Sequence, residues 1–317
     1  MLIDSKSWKD SWASLEDLEG GGQGTVKKVQ HKESGVIGFL KILNKQNDLE
    51  RRARFYREAA AYDSSSHPNI PALIESNAHN YQNFEYKVYI VTEFMSGLNL
   101  RQFVEREGAL SFDCAANVVM ALIDTLQYCH ANGWVHRDIK PDNIILRDTG
   151  IPVLLDFGMA FKEGVTPDFS TEINQEVGNR FLRLPELRID SPVKQDIRSD
   201  LSFIGAIYFF LLTGIAPTSL KDENGRMPHQ RVDALASIKE KCPNSLMRLL
   251  AFFDKAFSEK ISGRFLSAES MREELMSQVD NESKTYQSEA EKDLDIVLSA
   301  INTEANRQLG PVDLCCL

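Results

Sequence analysis

The sequence predicts an α+β chain of two lobes, the first rich in strands and the second mainly helical. Three observations lead there. The 317 residues fit about two domains or one large bilobal one, at roughly 100–200 residues per domain. Residues 15–95 carry short strand-like runs around a single charged helical stretch. From about residue 100 the apolar side chains recur at helical spacing instead.

Residues 1–14 are polar apart from Trp8 and Trp12 and read as a lead-in. Residues 15–45 alternate, with glycines clustered at 20–24 and β-type runs near 25–30 and 36–43, which reads as a hairpin of strands. Residues 47–62, charged and rich in helix formers, predict a helix. His67-Pro68-Asn69 predicts a turn, and residues 86–93 a strand. A boundary near Ser96-Gly97 closes the first lobe. In the second, Val118, Val119, Leu122, Ile123 and Leu126 mark a helix over 112–132. Residues 199–213 are apolar all round, as in a helix buried on every side. Further helices are predicted over 244–257 and 267–278. Beyond a polar stretch, Leu294, Val297, Leu298 and Ile301 share one face of a last amphipathic helix. The organisation is therefore a lead-in (1–14), a first lobe (15–95), a second lobe (96–278) and a C-terminal tail (279–317).

Composition excludes several function classes. Acidic residues outnumber basic ones 46 to 36, for a net charge of −10. That argues against nucleic acid as a partner, because phosphate contacts need surplus Lys and Arg. No apolar run reaches the roughly 18 residues of a membrane span. The N-terminus has no apolar core of a secretory signal. Of the five cysteines, Cys114, Cys129 and Cys242 stand alone, in contexts where a free Cys is a small buried hydrophobe. Cys315 and Cys316 are adjacent. None has zinc-type spacing, and the expectation is a cytoplasmic protein with reduced thiols.

The stretch that carries chemistry is His136-Arg137-Asp138-Ile139-Lys140-Pro141-Asp142-Asn143, followed thirteen residues after Asn143 by Asp156-Phe157-Gly158. Taken singly, an Asp or Asn in a loop is a turn former. Taken together and in this order, these residues resemble the catalytic loop and magnesium-binding motif of eukaryotic-type serine/threonine protein kinases. The resemblance implies the bilobal protein-kinase fold over about 15–277, and ATP and Mg2+ as cofactors. It gives Asp138 the role of orienting a substrate hydroxyl and accepting its proton. It gives Lys140 the neutralising of the migrating phosphoryl group. Asn143 and Asp156 match the metal-ligand positions.

Upstream, Gly20-Gly21-Gly22-Gln23-Gly24-Thr25-Val26 resembles the phosphate-covering loop, with Gly21, Gly22, Gly24 and Val26 at its nucleotide-facing positions. Bare backbone there can approach phosphates closely. Glu19 stands where the first glycine of the family pattern would be. Lys41, in Gly38-Phe39-Leu40-Lys41, matches the strand lysine of the α- and β-phosphates. Its acidic partner would come from the helix at 47–62, which offers Glu50 and Glu58. Glu58 fits the family position better. Residues 89–97 resemble the hinge, with adenine bonding to backbone near Glu93 and Met95 and with Thr92 at the back of the pocket. Leu184-Pro185-Glu186 closes an activation-type segment, Arg264 fits as the partner of Glu186, and Asp200 resembles the acid that accepts amides of the catalytic loop. Arg137 would meet a phosphate on Thr166, Ser170 or Thr171, unless Asp168 and Glu172 supply a fixed charge. Asn179 stands where Thr or Ser is usual, and Arg180 and Arg183 would favour acidic neighbours of the target.

Lys140, two residues after Asp138, is the serine/threonine pattern, so the partners implied are proteins with Ser or Thr acceptors, the chain itself included. The alternatives are a pseudokinase or scaffold, suggested by Glu19 and Asn179, and a small-molecule kinase of similar fold. For the C-terminal helix, packing on the kinase and docking a partner both stay open. Cys315 and Cys316 form no C-a-a-X box, since position 314 is Leu.

Overall fold

The protein is described from a computed structural model, over residues 4, 6–18, 24–165, 180–188, 191 and 193–279. A five-stranded antiparallel sheet builds the first lobe, in the order β1 (Trp12–Leu18), β2 (Gly24–His31), β3 (Ile37–Leu43), β5 (Tyr89–Glu93), β4 (Leu73–Ser76). Side chains of a strand alternate between faces, and the central strands of this sheet bury residues on both faces. Leu40 enters an outer cluster with Trp12, Val29, Tyr89 and Val91. Lys41, next in the strand, therefore points the other way and is buried on the inner face.

That inner face is covered by α1 (Leu49–Asp63), whose N-terminus is capped by Asp48 accepting from the Arg51 amide at 3.1 Å. The second lobe follows: β6 (Leu98–Asn99), α2 (Leu100–Glu107), α3 (Phe112–Ala131), the β7 (Ile144–Leu146) and β8 (Pro152–Leu154) pair, β9 (Leu182–Arg183), α4 (Arg198–Thr213), β10 (Thr218–Ser219), α5 (Val232–Lys241) and α6 (Leu246–Ala256). A last described helical stretch covers 268–279. α4 is buried from Ser199 through Leu212 and ends on Gly214 in the left-handed region, at φ 72°. Tyr208 and Phe209 of α4 meet Phe252 and Phe253 of α6 edge-on or tilted.

The structure differs from the sequence expectations in several places. Trp12 is 1% exposed and opens β1, so the sheet begins inside the stretch read as a lead-in. The expected hairpin is a three-stranded meander. The strand expected over 86–93 starts at Tyr89, because Asn83–Tyr86 close a turn. β4, α2 and α5 were not predicted; each is short, and none shows a sustained period. Cys129 and Cys242 are buried, but Cys114 is exposed, since it lies on the outer side of the first turn of α3. Among the described residues no helix is long and apolar enough to cross a membrane. The tail helix with Leu294, Val297, Leu298 and Ile301, and Cys315 and Cys316, lie outside the described residues.

Candidate active site

A cleft of about 590 Å³ opens between the two lobes, within the range of small-molecule sites. Its upper wall comes from β2 and β3. Val26 pairs with Lys41 across the ladder, and Gly24 with Leu43. A Cβ on Gly24 would lie 2.7 Å from the Ile42 carbonyl oxygen, so β2 can lie this close to β3 only with glycine there. Gly21 and Gly22, with Glu19, lie outside the described residues.

Lys41 Nζ is the centre of a buried charge cluster. It donates to Glu58 Oε1 at 2.7 Å, to Oε2 at 2.9 Å and to Asp156 Oδ1 at 2.9 Å. Glu50 lies elsewhere, paired with Arg54 along α1. Burial opposes the Lys41 charge, but the Asp156 and Glu58 carboxylates outweigh it and hold the ammonium above its usual range. Burial lifts Glu58 to about 7 against the pull of Lys41. Burial also acts to raise Asp156, but Lys41 prevails and holds it down to about 2. Both carboxylates thus share the one Lys41 ammonium.

Asp156 sits in the left-handed region at φ 59°, an uncommon conformation for a side-chain-bearing residue. Its amide donates to Tyr62 Oη at 2.9 Å, and its Oδ1 accepts from the Gly158 amide at 3.2 Å. Phe157 is 1% exposed and packs between the rings of Tyr62 and His136.

The loop from His136 to Asn143 is held from below by a fully buried carboxylate. Asp200, in the first turn of α4, accepts the His136 amide on Oδ2 and the Arg137 amide on Oδ1, both at 2.8 Å. His130 Nε2 lies 2.9 Å from Oδ2. Burial would raise this carboxyl, but these partners, His130 foremost, hold it below its usual value. Arg137 is also left-handed, at φ 65°, and its Nε donates to the Met159 carbonyl.

Within the loop, Asp138 Oδ2 accepts from Lys140 Nζ at 2.8 Å and from Asn143 Nδ2 at 3.1 Å. Among the described residues its other oxygen, Oδ1, accepts no hydrogen bond. Asn143 Nδ2 also donates to the Asp138 carbonyl at 2.9 Å, which commits its nitrogen and leaves its oxygen without a donor from the described residues. Asp156 Oδ2 is likewise without one. These are hard oxygen donors of the kind magnesium takes. Among the described residues no group of three or more His, Cys, Asp or Glu gathers for a metal. An ion here would keep several positions for water and phosphate, which is the usual way Mg2+ is bound.

The rear and mouth of the cleft carry Thr92, Glu93 and Met95. The Glu93 amide donates to the Ala72 carbonyl at 2.9 Å, and Arg147 reaches the Met95 sulfur at 3.2 Å. Below, Glu186 pairs with Arg264, and Ser199 donates to Glu186 at 2.7 Å. Thr166, Asp168, Ser170, Thr171, Glu172 and Asn179 lie outside the described residues. Arg180 and Arg183 are exposed.

Three residues at the site escaped sequence reasoning. Tyr62 lies four positions after Glu58, on the same face of α1, and that spacing was a signal. His130 and Arg101 had none. Arg101 grips Asp142 with two bonds of 2.8 Å from 41 residues away.

The sequence model of one family, described as protein kinase domain, matches residues 12–294. Among curated proteins, the chain is 28% identical over 285 residues to "Probable serine/threonine-protein kinase PknB" of Lactococcus lactis, covering 86% of this chain and 42% of that protein. It is 32% identical over 238 residues to "Serine/threonine-protein kinase C" of Synechocystis, covering 71% and 43%. It is 29% identical over 216 residues to "Sperm motility kinase 3A" of Mus musculus, covering 68% and 40%. The chain spans about two fifths of the length of these relatives.

Proposed function

The chain belongs to the protein kinase domain family, and from that premise we propose that it is a serine/threonine protein kinase, transferring the γ-phosphoryl group of ATP to Ser or Thr hydroxyls of proteins. One observation carries the reading. Asp138 has one carboxylate oxygen braced by Lys140 and Asn143 and the other unbonded among the described residues, in the same cleft as the Lys41–Glu58–Asp156 cluster.

The roles proposed here are those the family resemblance implies, and that geometry supports them. Phosphoryl transfer is mostly positioning and charge neutralisation. Asp138 Oδ1 orients the acceptor hydroxyl and takes its proton. Lys140, held at 2.8 Å from Asp138, offsets charge on the group in transit. Lys41 faces the phosphates, with Glu58 fixing its ammonium. Gly24 and Val26, with Gly21 and Gly22 by the family resemblance, would cover the nucleotide, and backbone near Glu93 and Met95 would receive its base. Asn143 and Asp156 would hold Mg2+, which would neutralise phosphate charge.

We assign the protein to the cytoplasm, on its free cysteines. Its partners are protein substrates, without nucleic acid. A first lobe that begins with β1 at Trp12, a second lobe and a tail are proposed as its organisation, with the tail helix packing on the kinase or on a partner.

The test is incubation with magnesium and ATP, followed by intact mass and phosphosite mapping, with Asp156→Ala as control. Phosphate added on Ser or Thr, and absent in the control, is the expected result. ATP binding without added mass on the chain or on a panel of protein substrates would overturn it in favour of a pseudokinase.

A further inference from the structure

Arg52 is 0% exposed, and among the described residues no carboxylate pairs with it. Buried charges are normally paired. Here the guanidinium is answered by carbonyl oxygens instead. Nε donates to Tyr81 O at 2.5 Å. Nη2 donates to Asn80 O at 3.0 Å and Asn83 O at 2.7 Å. Nη1 reaches Tyr86 O at 2.9 Å, Gln46 Oε1 at 3.0 Å and Gln46 O at 3.2 Å. Its five N–H donors therefore face six oxygens. One side chain of α1 holds the whole 80–86 turn between β4 and β5, and also the link from β3 to α1.

A second contact ties the same two segments. The rings of Tyr56 on α1 and Tyr81 in the turn stack at 5.2 Å, 10° from parallel. Glu58 follows Arg52 by six positions on the same helix. At 3.6 residues per turn that places the two side chains roughly 120° apart around the axis and about 9 Å apart along it. Arg52 grips one side of α1 while Glu58 reaches Lys41 from another. A helix anchored on two sides cannot rotate about its axis.

We propose that Arg52 is a positioning residue for the Lys41–Glu58 pair: by clamping α1 to the 80–86 turn it sets the helix rotation that delivers Glu58 to Lys41. The proposal rests on the kinase reading. It also gives that site a control point on the far side of α1, since anything that opens the 80–86 turn releases the helix.

The experiment is a double-mutant cycle of Arg52→Met with Glu58→Gln, with Arg52→Lys as the conservative variant. It is read in kcat, in KM for ATP and in the Kd of magnesium-ATP, at a temperature where unfolding curves show every variant folded. Arg52→Met is expected to lower kcat/KM by about tenfold or more in the native background, and by less than about twofold once Glu58 is already Gln. Arg52→Lys, with three donors on a flexible stem, is expected to fall between, and it carries the test if Arg52→Met fails to fold. Equal losses in both backgrounds would mean a general structural role and overturn the proposal. So would an unchanged kcat/KM in Arg52→Met. A wild-type protein that binds ATP but transfers nothing would overturn the kinase reading alone, and the cycle in Kd would still decide Arg52. A wild-type protein that binds no ATP would overturn both.

Discussion

Glu186 and Arg264 form a two-pronged buried ion pair, Nη1 to Oε1 and Nη2 to Oε2, between residues 78 apart in sequence. Both are nearly inaccessible, at 5% and 3% exposure. Ser199 at the start of α4 adds a third bond to the carboxylate. The pair ties the segment after β9 to the loop before the last helical stretch.

Removing one partner leaves the other charged and buried. Arg264→Ala should therefore cost about 3–5 kcal/mol and lower Tm by on the order of 10 °C. Replacing both with Met should recover part of the loss. Thermal and urea unfolding of these two variants beside the wild type check this. An Arg264→Ala protein that unfolds with the wild type would show that the pair contributes nothing.

Asp138→Asn keeps the size of the side chain and removes the carboxylate proposed as proton acceptor. Phosphoryl transfer should fall by about 10²- to 10⁴-fold, with Tm and the Kd of magnesium-ATP close to wild type. The measurement is single-turnover transfer at saturating nucleotide. Retained transfer would remove Asp138 from the role of base.

His229 gives a pH-dependent prediction away from the cleft. It is 1% exposed, stacks on Phe253 and Phe257, and places Nε2 2.9 Å from Asp254. Burial pulls its pKa below 6.5, against the raising effect of Asp254. The neutral ring is thus favoured in the folded state. Its stabilisation is fully present above pH 6.5 and is lost as pH falls through the depressed folded value. The stability advantage of wild type over His229→Gln should shrink between pH 7.5 and 5. Urea unfolding at four pH values reads it directly, and a constant difference would contradict the argument.

Gly205 sets packing against propensity. In a helix interior, Ala is favoured over Gly by roughly 0.8–1 kcal/mol. A Cβ on Gly205, however, would lie 2.5 Å from the Ala256 Cβ, where α4 crosses α6. Overpacking of this kind costs about 1–3 kcal/mol, so Gly205→Ala should destabilise. A stabilised variant would mean that α6 moves aside freely.

Much of the site is legible in the sequence because its chemistry demands particular residue types at short spacings. Asp138, Lys140 and Asn143 lie within six residues, and Asp156 soon after. Helices with long periodic or wholly apolar patterns, α3 and α4, are legible too, as is α1 from its run of charged helix formers. β4, α2 and α5 are not, because four to ten residues hold too few periods to tell a face.

What the sequence by itself determined is the order of elements with long patterns, and which candidate residues for moving a proton or meeting a phosphate lie close together along the chain. A pattern says that a face is buried, but not against what. Tertiary structure alone decided that Trp12 closes the outer face of the sheet, that His130 and two loop amides share Asp200, that Arg101 claims Asp142, and that Arg52 is satisfied by carbonyl oxygens instead of a carboxylate. Each is a contact between distant parts of the chain. Its partner is set by where packing brings two surfaces together, and local propensity carries no record of that.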